Sequence, residues 1–536
     1  MADLQNCVTS FVQTLVNQGL RHIVVSPGSR NFPLIQAFSA RSDVECHSSV
    51  DERSAAFMAL GLSIGLKKPV AICCTSGTAA LNFYPAVAEA FYSGNPLLVI
   101  TADRPPERID NWEGQCIRQS GLFDQHILSS YDTPASYGDE SVFVKIATQA
   151  YTQAQLYMGP VHVNMPFEEP FYEDSNPMLK PTPGFEDAPK VFDPIPQDLE
   201  DELKAAQSVL WLNGASCPKG KIRYNANMVV LSDVISNQGE NMDHWEAFIS
   251  SSSDLEDLSP DLIITTGSYF LSKKLRIWLA GIDHLTHWHM GSQKEIPTPF
   301  KTQPRAVNCD PQEVADLLKT IGQNHSYVEN WESRMALFKE QFNSLPWGGF
   351  TEFSVVSTLY DKLPDRSVLH VSNSMPIRYV GYLKKRGIDQ YSNRGTSGID
   401  GCTSTALGFA KTTSEPVFLF TGDLAFFYDA NAFWTNDIPT NLKVIMLNNQ
   451  GGGIFRLIDG PSRFPQSLVW QTTPHQRSGR HVADDHRLGY FTCSTWAELT
   501  REWEDFLNHP GCAVLEVKTD MKFNEEFYSE FKHIKV

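Results

Sequence analysis

Gly422-Asp423, Asn448-Asn449 and Gly451-Gly452-Gly453 are the residues of this chain whose types and spacing point most directly to chemistry. An apolar run precedes each polar pair, Val417 to Phe420 and Val444 to Leu447. If both runs are strands of one parallel sheet, the carboxylate and the amide meet at its carboxyl edge, where such sheets bind ligands. Mg²⁺ takes octahedral oxygen ligands and shares them with phosphate oxygens. Asp423 and the Asn449 side-chain oxygen supply two such ligands, and a backbone carbonyl near Gly451 a third. The glycines let the backbone pass close to a diphosphate. Taken alone, Gly-Asp also reads as a turn and Asn-Asn-Gln-Gly as a loop.

The elements that must position these residues recur along all 536 positions, a length that suggests three or four domains. Leu4, Val8, Phe11, Val12, Leu15 and Val16 have helical spacing, the helix stops at Gly19, and His22 to Val25 reads as a strand that turns at Pro27-Gly28-Ser29-Arg30. Further strand candidates are Val70 to Cys74, Leu97 to Ile100 and Val161 to Val163, with helix-length segments between them. Eight prolines from Pro166 to Pro196, among acidic residues, predict a linker. A second series has strands at Val209 to Leu212, Val229 to Leu231, Leu262 to Thr265, Leu285 to His289 and Ala306 to Cys309. The third has Val368 to Val371, the two runs before the polar pairs, and Ala513 to Val517. Strands alternating with helices predict parallel sheets in three consecutive α/β domains, over 1–180, 195–340 and 350–536. The polar stretch from Asp459 to Arg487 reads equally as an active-site lid or a surface excursion.

Composition narrows the function classes. Lys plus Arg is 44 against 62 for Asp plus Glu, a net charge of −18, which argues against a general nucleic-acid or anionic-membrane surface. Ten scattered cysteines without a CxxC pair read as reduced side chains of a cytoplasmic protein. The first residues lack a basic region followed by an apolar block, and no apolar run reaches the roughly 18 residues of a membrane span.

Further segments make the reading specific: Val50-Asp51-Glu52-Arg53-Ser54-Ala55-Ala56, Thr75-Ser76-Gly77-Thr78-Ala79, Thr101-Ala102-Asp103-Arg104-Pro105 and Ser392 to Gly401. With the Asp423 motif, they resemble the thiamine-diphosphate-dependent enzymes, and among those the 2-succinyl-5-enolpyruvyl-6-hydroxy-3-cyclohexene-1-carboxylate synthases of menaquinone biosynthesis. The resemblance spans the chain, more weakly in the middle domain. It implies the thiamine-diphosphate-enzyme fold, with a pyrimidine-binding first domain, a central domain and a diphosphate-binding third domain. Where the wider family has Gly-Asp-Gly and often three asparagines, this chain has Gly422-Asp423-Leu424 and Asn448-Asn449-Gln450.

The resemblance implies roles. Glu52 is the catalytic residue: it hydrogen-bonds the cofactor's aminopyrimidine nitrogen and promotes the tautomer that removes the thiazolium proton. Read locally, Glu52 is also a helix-start residue beside Arg53. Ile399 supports the bent cofactor, or is a core isoleucine. Gly422, Asp423, Leu424, Asn449, Gly451, Gly452, Ile454 and Phe455 bind the diphosphate side, with Asp423, Asn449 and Gly451 on Mg²⁺ or Mn²⁺. The implied transferase decarboxylates 2-oxoglutarate on thiamine diphosphate and adds the succinyl-semialdehyde carbanion to isochorismate. Both substrates carry carboxylates, which bidentate arginines suit. By the resemblance Ser29, Arg30, Arg104, Gln115 and Lys273 face isochorismate, and Ser374, Arg378 and Arg394 face the succinyl part. Lys274 competes with Lys273, Arg378 also reads as a surface residue, and Ser374 as a helix cap. A homodimer or homotetramer with active sites between subunits is expected, so that Glu52 and Asp423 meet one cofactor.

Two alternatives stay open at this stage. One is another 2-oxoacid decarboxylase or carboligase of the cofactor class, such as an acetolactate-synthase-like enzyme; the other is a catalytically silent member of the fold. His284, His287 and His289 are read as structural, with 287 and 289 on one strand face. Gly395, Gly398 and Gly401 do not make a nicotinamide-binding fingerprint.

Overall fold

The structure, a computed structural model, describes residues 2–169, 192–215, 217, 221–224, 228–240, 242–291, 296–321, 325–458 and 460–534. Most of the proline-rich linker expected from Pro166 to Pro196 lies outside them.

Three parallel sheets follow one another. The first holds β1 (His22–Val25), β2 (Glu45–Ser48), β3 (Val70–Cys74), β4 (Leu97–Asp103), β5 (Ser129–Asp132) and β6 (Val161–Pro166), in the order β2-β1-β3-β4-β6-β5. The second holds β7 (Val209–Asn213), β8 (Val229–Ser232), β9 (Leu262–Thr266), β10 (Thr286–Met290) and β11 (Arg305–Val307), ordered β11-β10-β9-β7-β8. The third holds β12 (Val368–Val371), β13 (Asp389–Tyr391), β14 (Val417–Gly422), β15 (Leu442–Asn448), β16 (Gly489–Cys493) and β17 (Ala513–Lys518), ordered β13-β12-β14-β15-β17-β16. Every ladder pairing between these strands is parallel.

The central strands are covered on both faces, since β3, β4 and β6 are buried at every position; β3 is apolar throughout, and the buried His162 and Asn164 of β6 are bonded to Thr101 of β4 at 2.8 Å each. Four strands depart from the sequence expectation by having no apolar run at all, β2, β5, β13 and β16. They are the four edges of the first and third sheets. An edge strand meets solvent along one side and at its ends, so its residues are not selected for burial. At the carboxyl end of the second sheet, His287 and His289 do share a face, both within 2.9 Å of Thr265 Oγ1, whereas His284 is a left-handed turn residue ahead of β10.

Helices Glu52–Leu66 and Cys402–Ala410 lock the first unit to the third. Ala55, Met58 and Leu62 share one apolar core with Ala406, Leu407 and the inner face of β14 and β15. Glycines make the approach possible: a Cβ on Gly61 would collide with the Thr405 carbonyl, and one on Gly408 with the Met58 carbonyl. The middle unit joins the third through helix His325–Asn343, whose Phe342 ring lies against Phe353 and Phe531. All ten cysteines are free thiols. No helix among the described residues is long and apolar enough to cross a membrane.

Gly408→Ala should lower stability by about 1–3 kcal/mol, the usual cost of forcing a methyl into a packed interface. Thermal unfolding checks this against Gly348→Ala, where a Cβ would meet nothing within 4 Å.

Candidate functional site

The cradle forms at the carboxyl ends of β14 and β15, which pair from Val417↔Leu442 to Gly422↔Leu447. Asp423 opens helix Asp423–Tyr428 and is 2 % exposed. Its Oδ1 accepts from the Leu424 amide at 2.6 Å and its Oδ2 from the Gly451 amide at 3.0 Å. Asn449 Oδ1 accepts from that same Gly451 amide at 3.1 Å. Two oxygen donors from neighbouring strand ends thus converge on one point. Burial pushes the Asp423 carboxyl up, while His475 and the amides of Leu424, Gly451 and Gln450 pull it down.

The loop beyond leaves no room for side chains. A Cβ on Gly451 would lie 2.6 Å from the Thr472 carbonyl, and one on Gly453 would lie 2.8 Å from Asn449 Nδ2. Gly452 donates to the Thr472 carbonyl at 2.7 Å, and the Gly451 carbonyl accepts from the Gly453 amide at 3.0 Å. Ile454 and Phe455, half-buried, begin the next helical turn, and Leu424 is half-buried behind Asp423. A donor set of carboxylate, amide oxygen and backbone carbonyl suits Mg²⁺ or Mn²⁺, and glycine-lined backbone suits a phosphate group. The residues present therefore fit a metal-diphosphate group.

Part of the 459–487 stretch folds onto the cradle. His475 Nε2 lies 3.3 Å from Asp423 Oδ2, and Ser478 Oγ and the Gly479 amide donate to the buried Glu516 at 2.8 and 3.1 Å. Glu516 also accepts from Asn448 Nδ2 at 2.6 Å, which ties this stretch to the end of β15.

Glu52 begins helix Glu52–Leu66, which is capped by Asp51 through the amides of Arg53 and Ser54. The glutamate is half-buried beside Cys74, at the end of β3. Arg53 is not its partner: the guanidinium donates to the Tyr428 carbonyl at 2.7 Å and lies 4.4 Å from that ring's centre. Asp423 opens the helix that Tyr428 closes, so the cradle and the Glu52 helix sit at its two ends, about 7.5 Å of rise apart at ~1.5 Å per residue.

The expected substrate residues fall into two groups. In the first unit, Arg30 is buried and both Arg30 and Arg104 reach Glu169 Oε1, at 2.7 and 3.8 Å. Arg104 also pairs with Glu113 at 3.5 Å and donates to the Gly114 carbonyl at 2.9 Å. Burial, then the neighbouring Arg104, lowers the Arg30 guanidinium from its usual range. Ser29 is exposed in the adjacent turn, and Gln115 is exposed with φ 54°, its Cα over Gly77.

In the second group, Arg394 donates to Asn373 Oδ1 at 2.8 Å, and its guanidinium is lowered by burial and by Arg378 and Arg276 nearby. Asp233, Tyr269, Arg276 and Arg394 line a cavity of about 190 Å³ between the middle and third units. Arg378 donates to the Ser374 carbonyl at 2.5 Å. Ser374 stands at the N-cap position, yet its side chain makes no cap bond; it has φ 79°, a conformation that non-glycine residues adopt at a cost. Lys274 is committed to the carbonyls of Ser250 and Ser252, while Lys273 is exposed at the start of the same helix. Ile399 is half-buried in a loop pinned by Asn373, which donates to the carbonyls of Asn393 and Gly398 at 2.6 Å each.

The first-unit helix Tyr84–Ser93 holds that loop from the other side. Buried Glu89 accepts from the amides of Gly395 and Thr396 at 2.7 and 2.6 Å and from the Thr396 hydroxyl at 2.8 Å.

Residues 5–126 match the family model of the thiamine pyrophosphate enzyme N-terminal TPP-binding domain. Along nearly its whole length the chain is also similar to proteins named 2-succinyl-5-enolpyruvyl-6-hydroxy-3-cyclohexene-1-carboxylate synthase. That of Cytophaga hutchinsonii is 35 % identical, with 97 % of each chain covered. That of Christiangramia forsetii is 34 % identical over 97 % of each, and that of Bacteroides thetaiotaomicron 31 % over 98 % of each. The chain belongs to this synthase family.

For a member of the synthase family, sequence reasoning left out several residues around the site. Arg276 could have been found, since it lies one turn after Lys273 on the same helix. Glu89, Asp233, Glu169 and Glu352 carry no local signal, because each acts through contacts far away in sequence. Another cluster, His22, Glu45 and His47, brings its ligand atoms within 4.8 Å of one another, at the start of β1 away from the cradle. Its two imidazoles are coplanar to 3° with ring centres 5.7 Å and nitrogens 3.4 Å apart, so the nitrogens face each other head-on. That is the geometry of an imidazole–imidazole hydrogen bond rather than of two lone pairs aimed at one ion.

Glu89→Leu should cost roughly 2–6 kcal/mol, on about 1–3 for each of two orphaned amides. Hydrogen exchange at Gly395 and Thr396 should accelerate in that variant while the amides of β4 stay protected.

Proposed function

We propose that this chain catalyses the reaction for which its relatives are named, joining the succinyl carbons of 2-oxoglutarate to isochorismate with loss of carbon dioxide, as a transferase of menaquinone biosynthesis. The observation that carries this reading is similarity to the named synthases over 97 % of both chains. It is supported by the presence of Glu52, Asp423 and Asn449, which a silent relative would be free to lose, and of basic groups suited to polycarboxylates. An acetolactate-synthase-like enzyme handles small apolar acyl groups and has no use for Arg30, Arg104, Arg378 and Arg394 together.

Thiamine diphosphate, when bound, supplies the electron sink that lets a 2-oxoacid lose carbon dioxide and react as a nucleophile. Asp423, Asn449 and the Gly451 carbonyl would hold Mg²⁺ or Mn²⁺, and Gly422, Leu424, Gly452, Ile454 and Phe455 would enclose the diphosphate. Glu52 would hydrogen-bond the pyrimidine nitrogen of the bound cofactor, and Ile399 would pack against the cofactor. Ser29, Arg30, Arg104, Gln115 and Lys273 orient isochorismate; Ser374, Arg378 and Arg394 orient the succinyl carboxylate, with Arg276 added to them. Residues 1–180, 195–340 and 350–536 act as pyrimidine-binding, central and diphosphate-binding units. The working protein is a cytoplasmic homodimer or homotetramer with sites between subunits.

Carbon dioxide release should be seen with 2-oxoglutarate and not pyruvate, with product formed only when isochorismate is added. Glu52→Gln should reduce turnover at least 10²-fold, the usual scale for a lost acid–base group. Release from pyruvate alone would move the assignment to an acetolactate-synthase-like enzyme. Arg394→Ala should weaken use of 2-oxoglutarate by roughly 10- to 100-fold in kcat/KM, from about 1.5–3 kcal/mol per charged hydrogen bond. Arg30→Ala should act chiefly on isochorismate. A fully active monomer in dilute solution would remove the intersubunit site.

A further inference from the structure

Glu352 is a buried carboxylate beside the cradle that the proposed chemistry does not use; it is 3 % exposed. It is the first residue of helix Glu352–Lys362, behind the Thr351 cap whose Oγ1 accepts from the Ser354 amide at 3.2 Å. Its own amide donates to Asn524 Oδ1 at 2.9 Å. The backbone is therefore held on both sides, and the side chain projects from a fixed origin.

Its two oxygens are both engaged. Oε1 accepts from Asn449 Nδ2 at 2.8 Å, and Oε2 accepts from the Tyr379 hydroxyl at 3.1 Å. An asparagine amide has one end that only donates and one that only accepts. With Nδ2 on the Glu352 carboxylate, Oδ1 faces the Gly451 amide and the cradle, 3.1 Å from that nitrogen. Turned over, the amide would set oxygen against carboxylate oxygen and N–H against N–H. Both neighbours thus select one orientation, and it is the one that offers oxygen to a cation. Burying a carboxylate among apolar groups is costly unless it is hydrogen-bonded. Here one of its two bonds is spent on the side chain the cradle reading assigns to the metal.

We propose that Glu352 is a positioning residue that holds the Asn449 amide with Oδ1 toward the divalent cation of the cradle. This rests on the cradle reading above. Groups that hydrogen-bond a metal ligand and hold it in place change metal affinity by roughly 10- to 100-fold when removed.

The test is Mn²⁺ binding to the full chain, followed by electron paramagnetic resonance of the free ion with thiamine diphosphate present, alongside thermal unfolding. Glu352→Gln keeps an acceptor for Asn449 and should bind Mn²⁺ close to the unaltered protein. Glu352→Met removes the acceptor and Glu352→Asp withdraws it by one methylene; each should weaken binding by about 10- to 100-fold. If Glu352→Met does not fold, Glu352→Asp decides the matter. Tyr379→Phe removes the other hydrogen bond and should leave Mn²⁺ affinity unchanged. Unaltered affinity in Glu352→Asp, or an equal loss in Tyr379→Phe, would overturn the proposal and leave Glu352 a structural residue. Failure of the unaltered protein to bind Mn²⁺ would instead overturn the cradle reading, and the proposal with it.

Discussion

The close contact between helices Glu52–Leu66 and Cys402–Ala410 is the constraint on which the rest of the arrangement depends. Gly61 faces the Thr405 carbonyl and Gly408 the Met58 carbonyl, so backbone meets backbone where side chains would hold the helices farther apart. Helix axes pack about 8–10 Å apart depending on the side chains between them, and small residues give the short end of that range. At that separation the loop from Asn393 to Gly401 can be shared between Glu89 of the first unit and Asn373 of the third. Arg53 can likewise cap the far end of the helix that Asp423 begins.

The electrostatics follow from a chain that is acidic overall and basic in a few enclosed places. At −18, its arginines would be neutralised at random if they lay on the open surface. Instead Arg30 and Arg104 converge on Glu169, and Arg394 lies near Arg378 and Arg276 beside Asp233. Each group has a carboxylate close by, the exposed Glu169 for the first and the buried Asp233 for the second, which lowers the cost of gathering like charges. The cradle shows the reverse arrangement. There Glu352 and Asp423 lie together away from water, and the Glu352 carboxyl is pushed up to about 7, first by burial and then by Asp423.

Legibility differed between the middle of the sheets and their rims. β3, β4, β14 and β15 stood out because strands covered on both faces are unbroken apolar runs. β2, β5, β13 and β16 did not, because edge strands have no such requirement and their pairing is set by backbone bonds to a neighbour distant in sequence. The same distinction separates the site residues. Asp423, Asn449 and the glycines carry a spacing that describes a shape. Arg276 had a weak helical cue. Glu89 and Glu352 had none, since each is defined by what it touches 306 and 97 positions away.

By itself, then, the amino-acid sequence determined the parallel α/β architecture, the position of the cradle and, through its resemblance, the family. Those follow from local periodicity and from short motifs, which survive without knowledge of the fold. Only the tertiary structure decided that Lys274 rather than Lys273 is bound to backbone carbonyls, that Ser374 leaves its helix uncapped, and that Arg53 turns from Glu52 to Tyr428. Only it placed His475 on Asp423 and Glu352 behind Asn449. The physical reason is that a side chain's partner is chosen by distance and burial, and those exist only once the helices and sheets have packed.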